Sequence, residues 1–103
     1  MLVRSMILSL VRFASGLADD EVQGKFEARA EAYESVPGLI EKLYLHYRNG
    51  DFGAVYVWED EDALAAFRAS GLGGSIAGAY KVEGGEVIYE VADVTLAVRP
   101  KNA

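Results

Sequence analysis

An α+β domain with the element order β-α-β-β-α-β is predicted by three observations. Period-two apolar runs at both ends of the chain and on either side of Asn49-Gly50 give four strands. Helical spacing after Asp20 and after Asp60 gives two helices, and Asn49-Gly50 ties the middle strands into an antiparallel hairpin. Elements in that order pair most simply as a four-stranded antiparallel sheet with both helices on one face, the ferredoxin-like arrangement.

The first strand covers Ser5 to Phe13, where Met6, Leu8 and Leu10 alternate with Ile7, Val11 and Phe13, so both faces are apolar. A first helix from Asp20 to Glu34 follows, with Asp19 or Asp20 as N-cap and Val22, Phe26, Ala30 and Tyr33 at helical spacing. Pro37-Gly38 ends that helix through a turn. Leu39 to Arg48 and Phe52 to Glu59 are the second and third strands. Asp60 caps a short second helix whose Leu64 and Phe67 dock on the sheet while Arg68 faces water. Gly71, Gly73 and Gly74 stop it, and Ser75 to Tyr80 forms one further helical turn or an ordered loop. Glu83-Gly84-Gly85 is a turn, and Glu86 to Arg99 is a long final strand.

With 103 residues, 1–103 is expected to form one domain of radius near ~13 Å. Hydrophobic residues make up 51% and charged residues 25%, a globular composition in which only Pro100 to Ala103 reads as a loose end. The net charge of −6, from 16 acidic and 10 basic residues, repels a phosphate backbone, so nucleic acid is not an expected partner. With no cysteine, disulfides, thiol catalysis and thiolate metal sites are excluded, and a single histidine cannot build a histidine-rich metal site. The apolar start is broken by Arg4 and Arg12 and reads as a strand rather than a membrane span, which points to a cytoplasmic protein. Gly71-Leu72-Gly73-Gly74 lacks the Lys-Ser/Thr of a phosphate loop, and the acids from Glu59 to Asp62 read as a solvated helix start.

Two helices cover one face of a four-stranded sheet, yet the strands carry apolar side chains on both. A two-residue Asn49-Gly50 turn pairs Arg48 with Asp51 and sets Leu39, Leu43, Leu45, Tyr56 and Trp58 on the helix side. Ile40, Lys42, Tyr44, His46, Val55 and Val57 then share the open side. A one-residue change in loop length moves Lys42, Tyr44 and His46 to the side of Tyr56 and Trp58, and Gly53 is a place for such a bulge. We take the two-residue turn as the expectation. A second copy of the chain, laid sheet against sheet, is the economical cover for an open face of this kind, giving a homodimer.

The run Pro37-Gly38-Leu39-Ile40-x-Lys42, then Gly53-x-x-Tyr56-x-Trp58-x-Asp60, Phe67-x-x-Ser70 and a last strand ending Val98-Arg99-Pro100 carries a family resemblance. It is similar to the monooxygenase family of dimeric α+β barrel proteins represented by the YdhR group, within the ABM-like superfamily. The resemblance covers the middle two thirds of the chain and, loosely, the last strand. It implies two ferredoxin-like sheets packed face to face. It also implies oxygenase chemistry on a small aromatic or polyketide-like molecule with neither metal nor flavin, and no cofactor is expected. Trp58 matches a pocket-lining tryptophan at the end of the third strand in that group.

Cofactor-free oxygenation asks a protein for an apolar pocket, a base or cation that favours the substrate anion, and hydrogen-bond donors. Lys42 and His46 are the candidate catalytic groups, with Trp58, Tyr56, Tyr44, Phe67, Tyr33 and Tyr80 as candidate walls of the substrate site. Plainer readings stand beside these. The aromatics also make an ordinary core, Lys42 can be a snorkelling lysine paired with Glu59 or Glu41, and His46 can be a half-exposed residue at a hairpin end. Arg12 and Arg99, near strand ends, can pair with acids across the dimer. The alternatives to an oxygenase are a non-catalytic or stress-related ligand-binding dimer and a proton-transfer isomerase in the same barrel.

Overall fold

In the computed structural model, residues 6–82, 84 and 86–101 are described. Ser5 of the expected first strand, Glu83 and Gly85 of the expected turn, and Asn102 and Ala103 of the expected tail lie outside them. The order is β1 (Ile7–Phe13), α1 (Asp19–Tyr33), β2 (Leu39–His46), β3 (Phe52–Trp58), α2 (Glu61–Ala69), α3 (Ile76–Ala79) and β4 (Ile88–Asp93). The strands form an antiparallel sheet in the order β2-β3-β1-β4. This is the ferredoxin-like βαββαβ fold.

Strand alternation builds the core. Ile7, Ser9, Val11 and Phe13 of β1 and Phe52, Ala54, Tyr56 and Trp58 of β3 are buried on one face, against Val22, Phe26 and Tyr33 of α1 and Leu64 and Phe67 of α2. Fully burying each Val, Leu, Ile or Phe among them is worth about 1.5–3 kcal/mol, so these central strands anchor the two helices. The start of α1 differs from expectation by one residue: Ala18 is the N-cap, and its N–H donates to the Glu21 carboxylate (3.2 Å). At α2 the Asp60 carboxylate accepts the Ala63 N–H at 2.9 Å, as a cap should.

The β2–β3 hairpin overturns the expected register. Tyr47 N–H donates to the Asp51 carbonyl (2.8 Å) and Gly50 N–H to the Tyr47 carbonyl (3.0 Å), so the loop is Arg48-Asn49-Gly50, three residues rather than two. Gly50 takes the left-handed conformation (φ 101°) that closes a three-residue loop, which L side chains adopt only with strain. Lys42 therefore pairs with Tyr56, Tyr44 with Ala54 and His46 with Phe52. Lys42, Tyr44 and His46 share the helix side, while Leu43 and Leu45 turn to the open side with Val55 and Val57. The sheet's irregularity lies between Leu39 and Glu41, with Ile40 as the extra residue, and not at Gly53. Gly53 is required for another reason: a Cβ there would meet the Val11 carbonyl oxygen at 2.1 Å.

The open face carries Leu8, Leu10, Leu43, Leu45, Val55, Val57 and Ile88, with Leu43 50% and Ile88 46% exposed. β4 is shorter than expected. The Val94 N–H still reaches the Met6 carbonyl (2.9 Å), after which the chain leaves the sheet with Leu96 79% exposed. The radius of gyration of 14.6 Å exceeds the ~13 Å of a compact domain of this size, as suits a two-layer body with one bare face. Arg12 does not wait for a partner chain: its Nε donates to Asp51 (2.9 Å) and its guanidinium lies 4.0 Å from the Tyr47 ring centre. This hydrogen bond holds the Asp51 carboxyl below the usual carboxylate range. No helix among the described residues is long and apolar enough to cross a membrane.

Candidate functional site

The three-residue hairpin loop aims alternate residues of β2 under α1. Lys42 and Tyr44, two apart on the strand, enter the helix side, and α1 answers with Phe26, Arg29 and Tyr33. Tyr56 stands opposite Lys42 on β3, and Tyr80 follows α3. Lys42 Nζ lies 3.1 Å from the Tyr33 ring centre, 4.2 Å from Tyr44 and 4.7 Å from Tyr56. The expected partners Glu59 and Glu41 do not hold it: among the described residues the ion pairs are Arg12–Asp51 and His46–Asp19.

An amine taken out of water without a counter-ion is disfavoured as a cation. Burial, helped by the positive charge of Arg29, brings the Lys42 pKa down to about 6. Burial pushes the Tyr44 hydroxyl above its ordinary value, with Tyr33 and Tyr80 adding to the rise and Arg29 opposing it. The Tyr56 hydroxyl is raised by burial and by the adjoining Tyr33 hydroxyl. Tyr80 rises to about 12, chiefly through burial. These hydroxyls stay protonated near neutral pH and serve as hydrogen-bond donors around an amine able to take a proton.

A groove of about 340 Å³ opens between α1 and the β2 edge, bordered by Ala30, Tyr33, Leu39, Ile40, Lys42 and Tyr44, with Glu34 and Glu41 completing its lining. Tyr33, Lys42 and Tyr44 also border the space further in, shared with Tyr56, Ile76 and Tyr80, which at about 10 Å³ holds one water at most. Two buried polar atoms here lack hydrogen-bond partners, the Tyr44 hydroxyl and Arg29 Nε. Arg29 Nη2 donates to Ser75 Oγ (2.6 Å) beside α3, and its guanidinium lies 5.6 Å from the Tyr80 ring centre.

The sequence-expected residues fall in three places. Lys42, Tyr44, Tyr33, Tyr56 and Tyr80 gather around the groove and the gap behind it. Trp58 does not join them: it is fully buried, its Nε1–H donates to Ser9 Oγ (3.0 Å), and it packs on Tyr56 and Phe67. Phe67 closes the core on the far side and borders a separate groove of about 660 Å³ between the Ser35–Gly38 turn and α2. His46 is four residues beyond Lys42, about 13 Å along the strand. There it stacks on Phe52 (4.1 Å), is 47% exposed and approaches Asp19 at 3.8 Å. Among the described residues, no three His, Cys, Asp or Glu side chains come together as a metal site.

Two participants were missed from sequence. Arg29 lies three residues after Phe26 and four before Tyr33, hence on the buried stripe of α1, and that spacing was its available signal. Ser9, a lone polar residue in an apolar strand, was the signal for a buried hydrogen-bond partner on the neighbouring strand.

No family model matches the chain, and no curated protein matches it. Solved structures do. SnoaB, a cofactor-independent oxygenase from Streptomyces nogalater, superposes with a TM-score of 0.67 at 20% identity, over 94% of this chain and 98% of that one. A dimeric ferredoxin-like protein of unknown function from Thermobifida fusca gives 0.71 at 14% identity, over 91% and 95%. A heme-degrading protein from Mycobacterium tuberculosis gives 0.70 at 21% identity, over 95% and 100%. Identities this low establish the shared fold alone.

Proposed function

We propose that this chain is a homodimeric, cofactor-independent oxygenase of a small aromatic molecule held in the groove between α1 and β2. The observation that carries the reading is Lys42, an unpaired amine among three tyrosine rings at the mouth of that groove. Chemistry of this type needs a base that is unprotonated near neutral pH, and an amine with a pKa of about 6 meets that need. A phenolic substrate stacked on Tyr33 and Tyr44 gives its proton to Lys42 Nζ. The electron-rich anion then passes an electron to dioxygen, and the radical pair combines to a peroxide anion that takes the proton back from Lys42 to give a hydroperoxide. Loss of water leaves one oxygen atom in the product as a carbonyl and the other in the water, with the substrate supplying both hydrogens. SnoaB, described as a cofactor-independent oxygenase, lends this reading support through the common fold. Dimerisation through the apolar open face is supported by the dimeric neighbour from Thermobifida fusca.

The test is oxygen uptake by purified protein with a panel of hydroxynaphthalenes, without added metal or flavin. Uptake above buffer, with Lys42→Ala lowering turnover more than affinity, is expected. Binding without uptake across the panel moves the assignment to a ligand-binding dimer. One observation favours that second reading: Trp58 is sealed in the core, so the groove is a shallow site rather than an enclosed chamber.

A further inference from the structure

The site sets a guanidinium and a buried amine together in a chain of net charge −6. Among the described residues, neither Lys42 nor Arg29 meets a carboxylate. Beside them Arg29 Nε and the Tyr44 hydroxyl are buried with no acceptor. Buried donors are normally satisfied, and buried cations are normally paired. Here donors and positive charge accumulate behind one groove, and what the cluster lacks is an acceptor carrying negative charge.

We propose that the groove between α1 and β2 takes a small aromatic carboxylate, whose carboxylate accepts from Lys42 Nζ and the Tyr44 hydroxyl with the Arg29 charge behind them. This rests on the reading above that the site holds a small aromatic molecule, and adds an anionic group to it; with that group bound, Lys42 favours the phenolate by its positive charge instead of taking the phenolic proton. Every titratable or charged group facing Lys42 fits this assignment or can be discounted. From α1 come Arg29 and Tyr33, from β2 Tyr44, from β3 Tyr56, and after α3 Tyr80; none is a carboxylate, and the hydroxyls of Tyr44, Tyr56 and Tyr80 are raised above their ordinary range. Glu34 and Glu41, the carboxylates of the groove lining, are exposed side chains whose charges are weakened by the high dielectric of water. Ser75 fixes the guanidinium through Nη2, leaving Nε unused.

A carboxylate beside Lys42 must pull the amine back toward its charged form. Binding near pH 8, well above the pKa of about 6 in the free protein, therefore takes up close to one proton per site. A neutral phenol that hands its own proton to Lys42 takes up none. The experiment is titration calorimetry of wild type with 2-naphthoate, 2-naphthamide and 2-naphthol near pH 8, in buffers of different ionisation enthalpy. Naphthoate is expected to bind at least tenfold tighter than naphthamide and to take up close to one proton, with Lys42→Met removing the uptake. Equal affinity for naphthoate and naphthamide, or naphthoate binding without proton uptake, overturns the assignment. The two proposals fail separately. Naphthoate binding with proton uptake but no oxygen consumption on hydroxynaphthoates sinks the oxygenase reading alone, and turnover of neutral naphthols with no gain from a carboxylate sinks this one alone.

Discussion

Lys42→Met asks which of two opposing forces governs the centre of the site. Met matches the length of the lysine stem and fills irregular apolar space, so the change removes charge with little change of volume. Folding near pH 7 has to strip the amine of its proton, from an ordinary 10.5 to about 6 in the folded chain. Taken at face value, that costs the wild type about 5 kcal/mol at this pH. The side chain keeps part of its contact with water at the groove, and discounting for that leaves roughly 2–4 kcal/mol. Against it stands attraction of a cation to the faces of Tyr33, Tyr44 and Tyr56, about 0.5–2 kcal/mol each where fully expressed. If desolvation wins, Lys42→Met is more stable than wild type near pH 7, with a urea midpoint about 1–2 M higher. The sign with pH follows. The unfolded chain binds the proton and the folded one does not between pH 6 and 10.5, so wild-type stability rises through that window by up to about 1.4 kcal/mol per pH unit. The advantage of the variant is largest at and below pH 6 and closes toward pH 10.5. Urea unfolding followed by Trp58 fluorescence, at fixed protein concentration and several pH values, measures it. A variant less stable than wild type at pH 7, or a gap constant from pH 6 to 9, refutes the reasoning: the tyrosine faces then hold Lys42 as a cation, and it is not the base proposed here.

Ser9→Ala leaves the Trp58 indole N–H buried without its 3.0 Å acceptor, and a loss of about 1–3 kcal/mol in urea unfolding is expected, with a shifted Trp58 emission. Gly53→Ala drives a methyl into the Val11 carbonyl and parts β1 from β3, so a loss above about 2 kcal/mol, with faster amide exchange in β1, is expected. Val57→Glu places a charge in the middle of the open face while leaving the helix-side core untouched. Sedimentation should show a shift from dimer to monomer at micromolar concentration, and an unchanged dimer would remove that face as the interface.

The elements and their order were legible because each rests on a local signal: alternation in Ile7–Phe13, Asp60 before Glu61–Ala69, Asn49-Gly50 between two apolar runs. The hairpin register was not, for a physical reason. Asn-Gly satisfies both a two-residue turn, where the pair is the whole loop, and a three-residue loop, where Gly50 closes it in the left-handed conformation. Hydrophobic patterning should have broken the tie and instead pointed the wrong way. It assigns Leu43 and Leu45 to the covered face and Lys42, Tyr44 and His46 to the bare one, whereas the fold does the reverse. Placing a lysine and an unbonded tyrosine hydroxyl beneath α1 while two leucines face outward lowers the stability of a lone protomer. Such a reversal persists where something outside the protomer repays it. In the dimer proposed above a second copy would cover Leu43 and Leu45, and in the proposed anion site a carboxylate would reach Lys42 and Tyr44, offsetting the outer and the inner half. The same one-residue slip sets both proposed surfaces, so a change in the loop that restored the two-residue turn is expected to abolish the proposed dimer and the proposed ligand site together.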